Sequence, residues 1–356
     1  MRVGISLLTL VPGEVGGAET SARGLCSGLA EVGTLDEVAF TPPAAPGAGE
    51  GLPEVEVPEY RFARSLPQRA LAMALAAAHP RRLRKRFGEL DAIHYPLTIA
   101  LPRLDVPSAV TIHDLQHLDH PELFSRAERL FRARMHEGSA RRADAVIVPS
   151  QFVRRRAVEL LGLPPERVHV IPWGLDHQRF RTGDDEREQF LLYPARPWPH
   201  KNHARLLQAF ALLRRERPGL RLVLTGGRHK GGPAPAGVEV RGLVSADELA
   251  SLYRRAACLV FPSLYEGFGQ PPLEAMASGC PVAASNIPAV AEACGEAAAL
   301  FDPNSVEDMA AVVASVLDAP DRFVYAGLER ARRFTWAEAA RRHEAVYASL
   351  PMRPRR

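Results

Sequence analysis

The sequence predicts an α/β protein of two facing, doubly wound (Rossmann-like) domains with an interdomain cleft, and three observations carry the prediction. Short β-like runs alternate with helical stretches, the pattern of parallel sheets built from βαβ units. That pattern restarts near Phe190 after a polar, turn-rich stretch. The length of 356 residues fits two domains at ~100–200 residues each.

In the first half, strands are expected at Val3–Leu8, Ala92–His94, Ser108–Ile112 and Ala145–Val148. A helix from about Ala18 to Glu31 follows the first strand, with Gly33 as its stop. Another covers Gln151–Leu161, with Ser150 as N-cap. Residues 41–53 are a low-complexity loop, and Pro172–Asp185 is the linker. In the second half, strands are expected at Phe190–Pro194, Arg221–Thr225, Cys258–Pro262 and Pro281–Ala284, with an amphipathic helix over Ala204–Arg217. A last helix covers about Trp336–Leu350, and the MRPRR tail frays. The domains fall at 1–175 and 176–335, with 336–356 crossing back to the first. Ligands of such sheets bind at the carboxyl ends of the strands, which places the site in the cleft.

With 46% hydrophobic and 24% charged residues, the composition is that of a soluble globular protein. No apolar run reaches the ~18–20 residues that span a bilayer. The first residues lack a small-residue cleavage site, so they read as a strand and its loop and the protein is expected in the cytoplasm. The cysteines, Cys26, Cys258, Cys280 and Cys294, form no metal or disulfide pattern. Only Lys85, Lys201 and Lys230 are lysine, so the net charge of +4 reflects arginine-rich coding and no nucleic-acid partner is expected. The arginine-rich stretch 61–86 can dock on an anionic membrane surface and reach a lipid-linked acceptor, or can be a solvated helix pair.

The strand Cys258–Pro262 leads into SLYEGFGQPPLEAMASGCP. Gly267 and Gly269 let the backbone approach a ligand, and Pro272 suits the first turn of a helix that ends at Gly279 and Pro281. A helix start after a glycine loop is an anion site. Two carboxylates beside a phosphate make sense as acceptors for flanking hydroxyls. Glu266 can hold sugar hydroxyls on one side of a diphosphate, and Glu274, in the first helical turn, ribose hydroxyls on the other. The plainer alternative makes Glu266 a solvated loop residue and Glu274 a helix-start glutamate. After Phe190–Pro194, Arg196 and Lys201 can stabilise a leaving diphosphate, or can be ordinary surface cations.

The segment Glu266–Glu274 resembles the Glu–seven residues–Glu signature of retaining glycosyltransferases of the GT-B fold, in the family numbered four. The likeness continues through AMASGCPVAASNIPAVAEACGEAAALFDP. It is strong from about Tyr193 to Pro303 and weaker before. The resemblance implies that Glu266 contacts the transferred sugar and Glu274 the ribose, with Phe268 in the same donor-binding loop. It implies that Arg196 and Lys201 grip the diphosphate, and that Leu243 and Val244 mark the base pocket, largely through backbone. It assigns the donor-side glycine loop to Gly16 and Gly17, and a histidine near the donor sugar to His113. The string HDLQHLDH also offers His113, His117 and His120 as a metal set. No Asp-x-Asp occurs in the chain, so no metal and no cofactor is expected beyond the nucleotide-sugar co-substrate.

The implied reaction moves a hexose from a nucleoside-diphosphate sugar to a hydroxyl acceptor with retained configuration. The motifs look closest to mannosyltransferases of polysaccharide or O-antigen assembly, which implies GDP-mannose, with a UDP-sugar as the alternative. An epimerase can share the fold but needs no acceptor. A dehydrogenase should carry the G-x-G-x-x-G fingerprint, which is missing. A two-lobed sugar-binding protein should carry an export signal.

Overall fold

The computed structural model describes residues 1–14, 16–60, 85–227 and 234–351. They form two compact units, Met1–Gly174 with Thr335–Arg356, and Leu175–Phe334.

The first unit contains strands β1 (Arg2–Ser6), β2 (Asp36–Thr41), β3 (Glu54–Glu56), β4 (Ala92–Tyr95), β5 (Ser108–Thr111), β6 (Ala145–Val148) and β7 (Val168–Val170). They pair in parallel in the order β3-β2-β1-β4-β5-β6-β7. The order reverses between β1 and β4, the switch point where doubly wound sheets open a crevice. Helix α1 (Gly17–Val32) follows β1 and ends at Gly33, whose left-handed backbone caps Leu29. Then come α2 (Gln116–Asp119), α3 (Arg126–Arg132), α4 (Gly138–Arg142) and α5 (Gln151–Leu161). Ser150 caps α5 as expected, its Oγ accepting from Val153 N at 3.2 Å.

The second unit holds β8 (Glu188–Pro194), β9 (Arg221–Thr225), β10 (Val238–Gly242), β11 (Ala256–Phe261), β12 (Val282–Ser285) and β13 (Ala299–Phe301). Its parallel order, β10-β9-β8-β11-β12-β13, again reverses once, between β8 and β11. Helices α6 (His203–Glu216), α7 (Ala246–Arg255), α8 (Gln270–Ala277), α9 (Pro288–Cys294), α10 (Val306–Asp318) and α11 (Asp321–Ala331) belong to it. Among the described residues, no helix is long and apolar enough to cross a membrane. The basic stretch falls mostly outside the described residues, which resume at Lys85.

One reading of the sequence is borne out with an addition, and one is corrected. Residues 41–53 are the expected loop, a run of turns after β2, and Glu54 ties it down by accepting from its amides. Its carboxylate accepts from Gly47 N at 3.2 Å and Gly49 N at 2.8 Å, which lets Ala45, Ala48 and Leu52 bury. The linker read at Pro172–Asp185 is mostly folded chain of the second unit, since Leu175 N donates to Phe334 O and Phe180 is buried.

The final helix, α12 (Trp336–Ser349), packs on α1. Gly24 and Gly28 lie one turn apart on α1 and leave a groove filled by Trp336. A Cβ at Gly28 would collide with the backbone of residue 336, which cannot swing aside. Gly28→Ala is therefore expected to lower stability by about 1–3 kcal/mol, the usual cost of overpacking, despite the better helix propensity of alanine. A melting temperature equal to or above wild type would contradict this packing.

Candidate active site

The loops at the switch point of the second sheet hold most of the expected site. After β8 the chain passes Arg196 and turns through Pro199–Lys201 into Asn202, whose φ of 59° is left-handed. Asn202 is buried, and its Nδ2 donates to Pro262 O at 3.0 Å and Pro303 O at 2.8 Å. Leu264 N donates to His200 O at 2.8 Å, and the Tyr193 hydroxyl donates to Lys201 O at 2.8 Å. These bonds fix the loop after β8 against the loop after β11.

The fixed loops bring Lys201 and Glu266 into contact. Lys201 Nζ lies 2.5 Å from Glu266 Oε1, and the two side chains are 15% and 16% exposed. The ammonium also sits 5.8 Å from the centre of the Phe261 ring. A cation and a carboxylate are thus held at the mouth of the strands, each neutralising the other's charge. Arg196 precedes Lys201 in the loop after β8, its guanidinium 5.6 Å over the Trp198 ring, and Trp198 is 49% exposed.

Gly269 has a φ of 127°, a backbone that side chains rarely adopt, and α8 starts immediately after it. Pro271 and Pro272 occupy its first turn, where a missing N–H costs nothing. That early start corrects one expectation: Glu274 lies in the second turn of α8, not the first. Glu274 is only 8% exposed, and Tyr253 Oη donates to its Oε2 at 3.1 Å. Burial pushes its carboxyl up to about 7, against the hydrogen bonds from Tyr253 and Gln270. Phe268 is buried against Phe334, with ring centres 5.9 Å apart. Gly267 lies between Glu266 and Phe268 in the same loop. Leu243 follows β10, is 77% exposed, and leads with Val244 into α7.

The first unit carries the remaining expected residues at the carboxyl ends of its own strands. Gly16 has a φ of 57° and opens α1, which starts at Gly17 without a side-chain cap. His113 follows β5. Its Nε2 donates to Pro96 O at 2.8 Å, since a carbonyl can only accept. Nδ1 is buried and has no hydrogen-bond partner among the described residues. Burial lowers the His113 pKa, against the charge of Asp114 and the bond to Pro96. A neutral ring with Nε2–H leaves Nδ1 as a lone-pair acceptor. His117 faces Glu137 at 3.5 Å, and His120 lies 3.1 Å from Glu122. The three histidines thus take separate partners, and no group of three His, Cys, Asp or Glu side chains among the described residues is placed for a metal ion.

Sequence reasoning missed Asn202, Tyr193 and Tyr253. The Lys-Asn-His run just before a helix was a signal for Asn202, because asparagine tolerates the left-handed region. The tyrosines gave no signal, since Tyr193 acts on a loop carbonyl, Lys201 O, and Tyr253 on a side chain, Glu274, that a later helix brings to it.

Residues 176–341 match the family described as Glycosyl transferases group 1, and residues 15–179 match Glycosyltransferase Family 4. The chain is 30% identical over 304 residues to MMP alpha-(1->4)-mannosyltransferase of Mycolicibacterium hassiacum, covering 75% of this chain and 72% of that one. It is 29% identical over 296 residues to O-antigen chain mannosyltransferase B of Escherichia coli, covering 76% and 77%. The solved structure of Anabaena HepE in complex with UDP and glucose superposes with a TM-score of 0.74 at 19% identity, over 98% of this chain and all of that one. The two parallel Rossmann-like sheets are those of the GT-B fold. Matched by family models from residue 15 to residue 341 and by a relative at 30% identity, this chain belongs to glycosyltransferase family 4.

Proposed function

We propose that the enzyme transfers a hexose from a nucleoside diphosphate to a hydroxyl acceptor with retention, and that its donor is GDP-mannose. The observation that carries the proposal is the Lys201–Glu266 pair at the β8/β11 switch point, with buried Glu274 on the short helix that follows the Glu266 loop. Glu266 accepts hydroxyls of the transferred sugar, which releases Lys201 toward the diphosphate. Arg196 joins Lys201 in balancing the charge that grows as the bond from the sugar C1 to the phosphate oxygen breaks. Glu274 accepts the ribose hydroxyls, and Leu243 and Val244 border the base. His113 Nδ1 accepts a hydroxyl of the donor sugar, and the amides after Gly16 and Gly17 meet the donor's phosphate side. The acceptor oxygen bonds to C1 on the face from which the phosphate leaves, and its proton passes to the departing phosphate oxygen. No side chain acts as a nucleophile, and the cations take the place of a metal.

Two mannosyltransferases among the relatives support mannose, one of them acting on an O-antigen chain. The UDP and glucose held by HepE favour a second reading with a UDP-sugar donor. The acceptor is a saccharide hydroxyl, carried on a lipid if the basic stretch 61–86 docks on a membrane. The test is a panel of nucleotide sugars, scored by thermal shift and by nucleotide release with a chelator present. GDP-mannose is expected to give the largest shift and the fastest release. Stabilisation by no nucleotide sugar overturns the proposal, and loss of release on adding the chelator overturns metal independence.

A further inference from the structure

We infer that Trp173 is a positioning residue, a wall that fixes the ring of His113 and the start of α1 in one arrangement. The inference rests on the transferase reading above.

Trp173 comes three residues after β7 and lies at the carboxyl end of the first sheet. Its ring centre is 5.4 Å from that of His113, with the planes at 75°, the edge-to-face geometry aromatic rings prefer. The benzenoid edge of the same indole faces the backbone of Gly17, and a Cβ placed there would lie 3.5 Å from it, in ordinary contact. One side chain therefore packs against His113 and stands beside Gly17, two of the pieces proposed to meet the donor. Behind it, Pro172 and Trp173 line a small cavity with Ser21, Thr111, Trp336 and His343. The cavity, about 10 Å³, has room for about one water.

His113 needs such a wall. Its single hydrogen bond, from Nε2 to Pro96 O, pins one corner of the ring and leaves rotation about that bond open. Nδ1 has no partner among the described residues to resist the rotation. The indole blocks it, and so keeps the Nδ1 lone pair in a fixed direction before the sugar arrives. A preorganised acceptor adds to the rate more than to ground-state binding, because a small misplacement at the reacting centre costs up to about 10²-fold.

The test compares Trp173→Ala, Trp173→Leu and Trp173→Phe in the full chain. The readouts are kcat and KM for the donor, and the ring ¹⁵N signals of His113. W173A and W173L are expected to lower kcat about 10–100-fold with a much smaller change in KM. The Nδ1 and Nε2 signals of His113 should move from a single tautomer toward the exchange average. W173F, which restores an aromatic edge, should recover most of both. Should W173A fail to fold, W173L keeps the apolar volume and carries the same comparison. A fall in melting temperature with kcat and the His113 signals unmoved overturns the inference, and so does a fall in kcat with those signals unmoved. If wild type turns over no nucleotide sugar while the signals still respond to W173L, the transferase reading fails and the positioning role stands.

Discussion

Lys201→Ala is expected to lower kcat by about 10²–10³-fold, the usual cost of removing one preorganised charge-stabilising group, while donor affinity changes far less. The reason lies in the order of events around the Lys201–Glu266 pair. In the free enzyme the ammonium is spent on Glu266. In the proposed reaction, sugar hydroxyls that occupy Glu266 free the lysine charge for the diphosphate as it becomes more negative. On that proposal the interaction strengthens as the C1–oxygen bond breaks, so its loss is expected to show in turnover. The variant should also be less stable, because the Glu266 side chain, 16% exposed, would lose its ion-pair partner. Breaking a buried pair costs about 3–5 kcal/mol, and the partial exposure of both side chains brings the figure below that range. Adding Glu266→Gln to Lys201→Ala should restore stability and leave turnover low. Recovery of turnover in the double variant, or an equal loss of affinity and kcat in K201A, would contradict the assignment.

Glu274 gives the second large effect, in binding and in the pH dependence of stability. Removing it as Glu274→Ala should weaken donor binding by about 10–100-fold, the worth of hydrogen bonds to a charged group, with kcat at saturation little changed. Calorimetric titration with the nucleoside diphosphate would check this. The carboxyl titrates at about 7 in the fold against a usual 4.5. Below about pH 4.5 it is protonated whether the chain is folded or not, and no stability depends on it. Between 4.5 and 7 the unfolded chain releases this proton first, so stability falls as pH rises through that window. Glu274→Gln does not titrate. It should melt like wild type at acid pH and be more stable at pH 8, by up to about 3 kcal/mol for a shift of this size. Donor affinity of the wild type should rise over the same window, because the ionised carboxylate is the form that accepts hydroxyls. Parallel melting curves for E274Q and wild type from pH 5 to pH 8 would show that the carboxyl is not strained by its burial.

The strands flanking each switch point could be read from the sequence because they are buried on both faces. β11, for example, is a continuous apolar run, AACLVF. The edge strands were not read: β3 is three residues with two glutamates, and β10 is half exposed with Glu239 and Arg241 inside it. Their pairing comes from a neighbour, not from their own pattern. The site divided the same way. Glu266, Glu274, Arg196 and Lys201 stood out by residue type and local spacing. That Lys201 meets Glu266, 65 residues on, could not be read, because it depends on β11 lying beside β8 while β9 and β10 take the other side. The burial of Glu274 was missed because the helix was read as starting near Pro272, which put Glu274 in an accessible first turn, whereas the helix begins at Gln270.

The order in which the chain is made has its own consequence. Residues Leu175–Phe334 form a continuous unit, but the unit that starts at Met1 is completed only by α12. As the chain leaves the ribosome, the second unit has all its residues while the first still lacks the helix that fills the groove at Gly24 and Gly28. The nascent protein therefore carries its oldest half unfinished for longest. A released chain that ends at Phe334 should show a protease-resistant core from its younger half and a digestible older one.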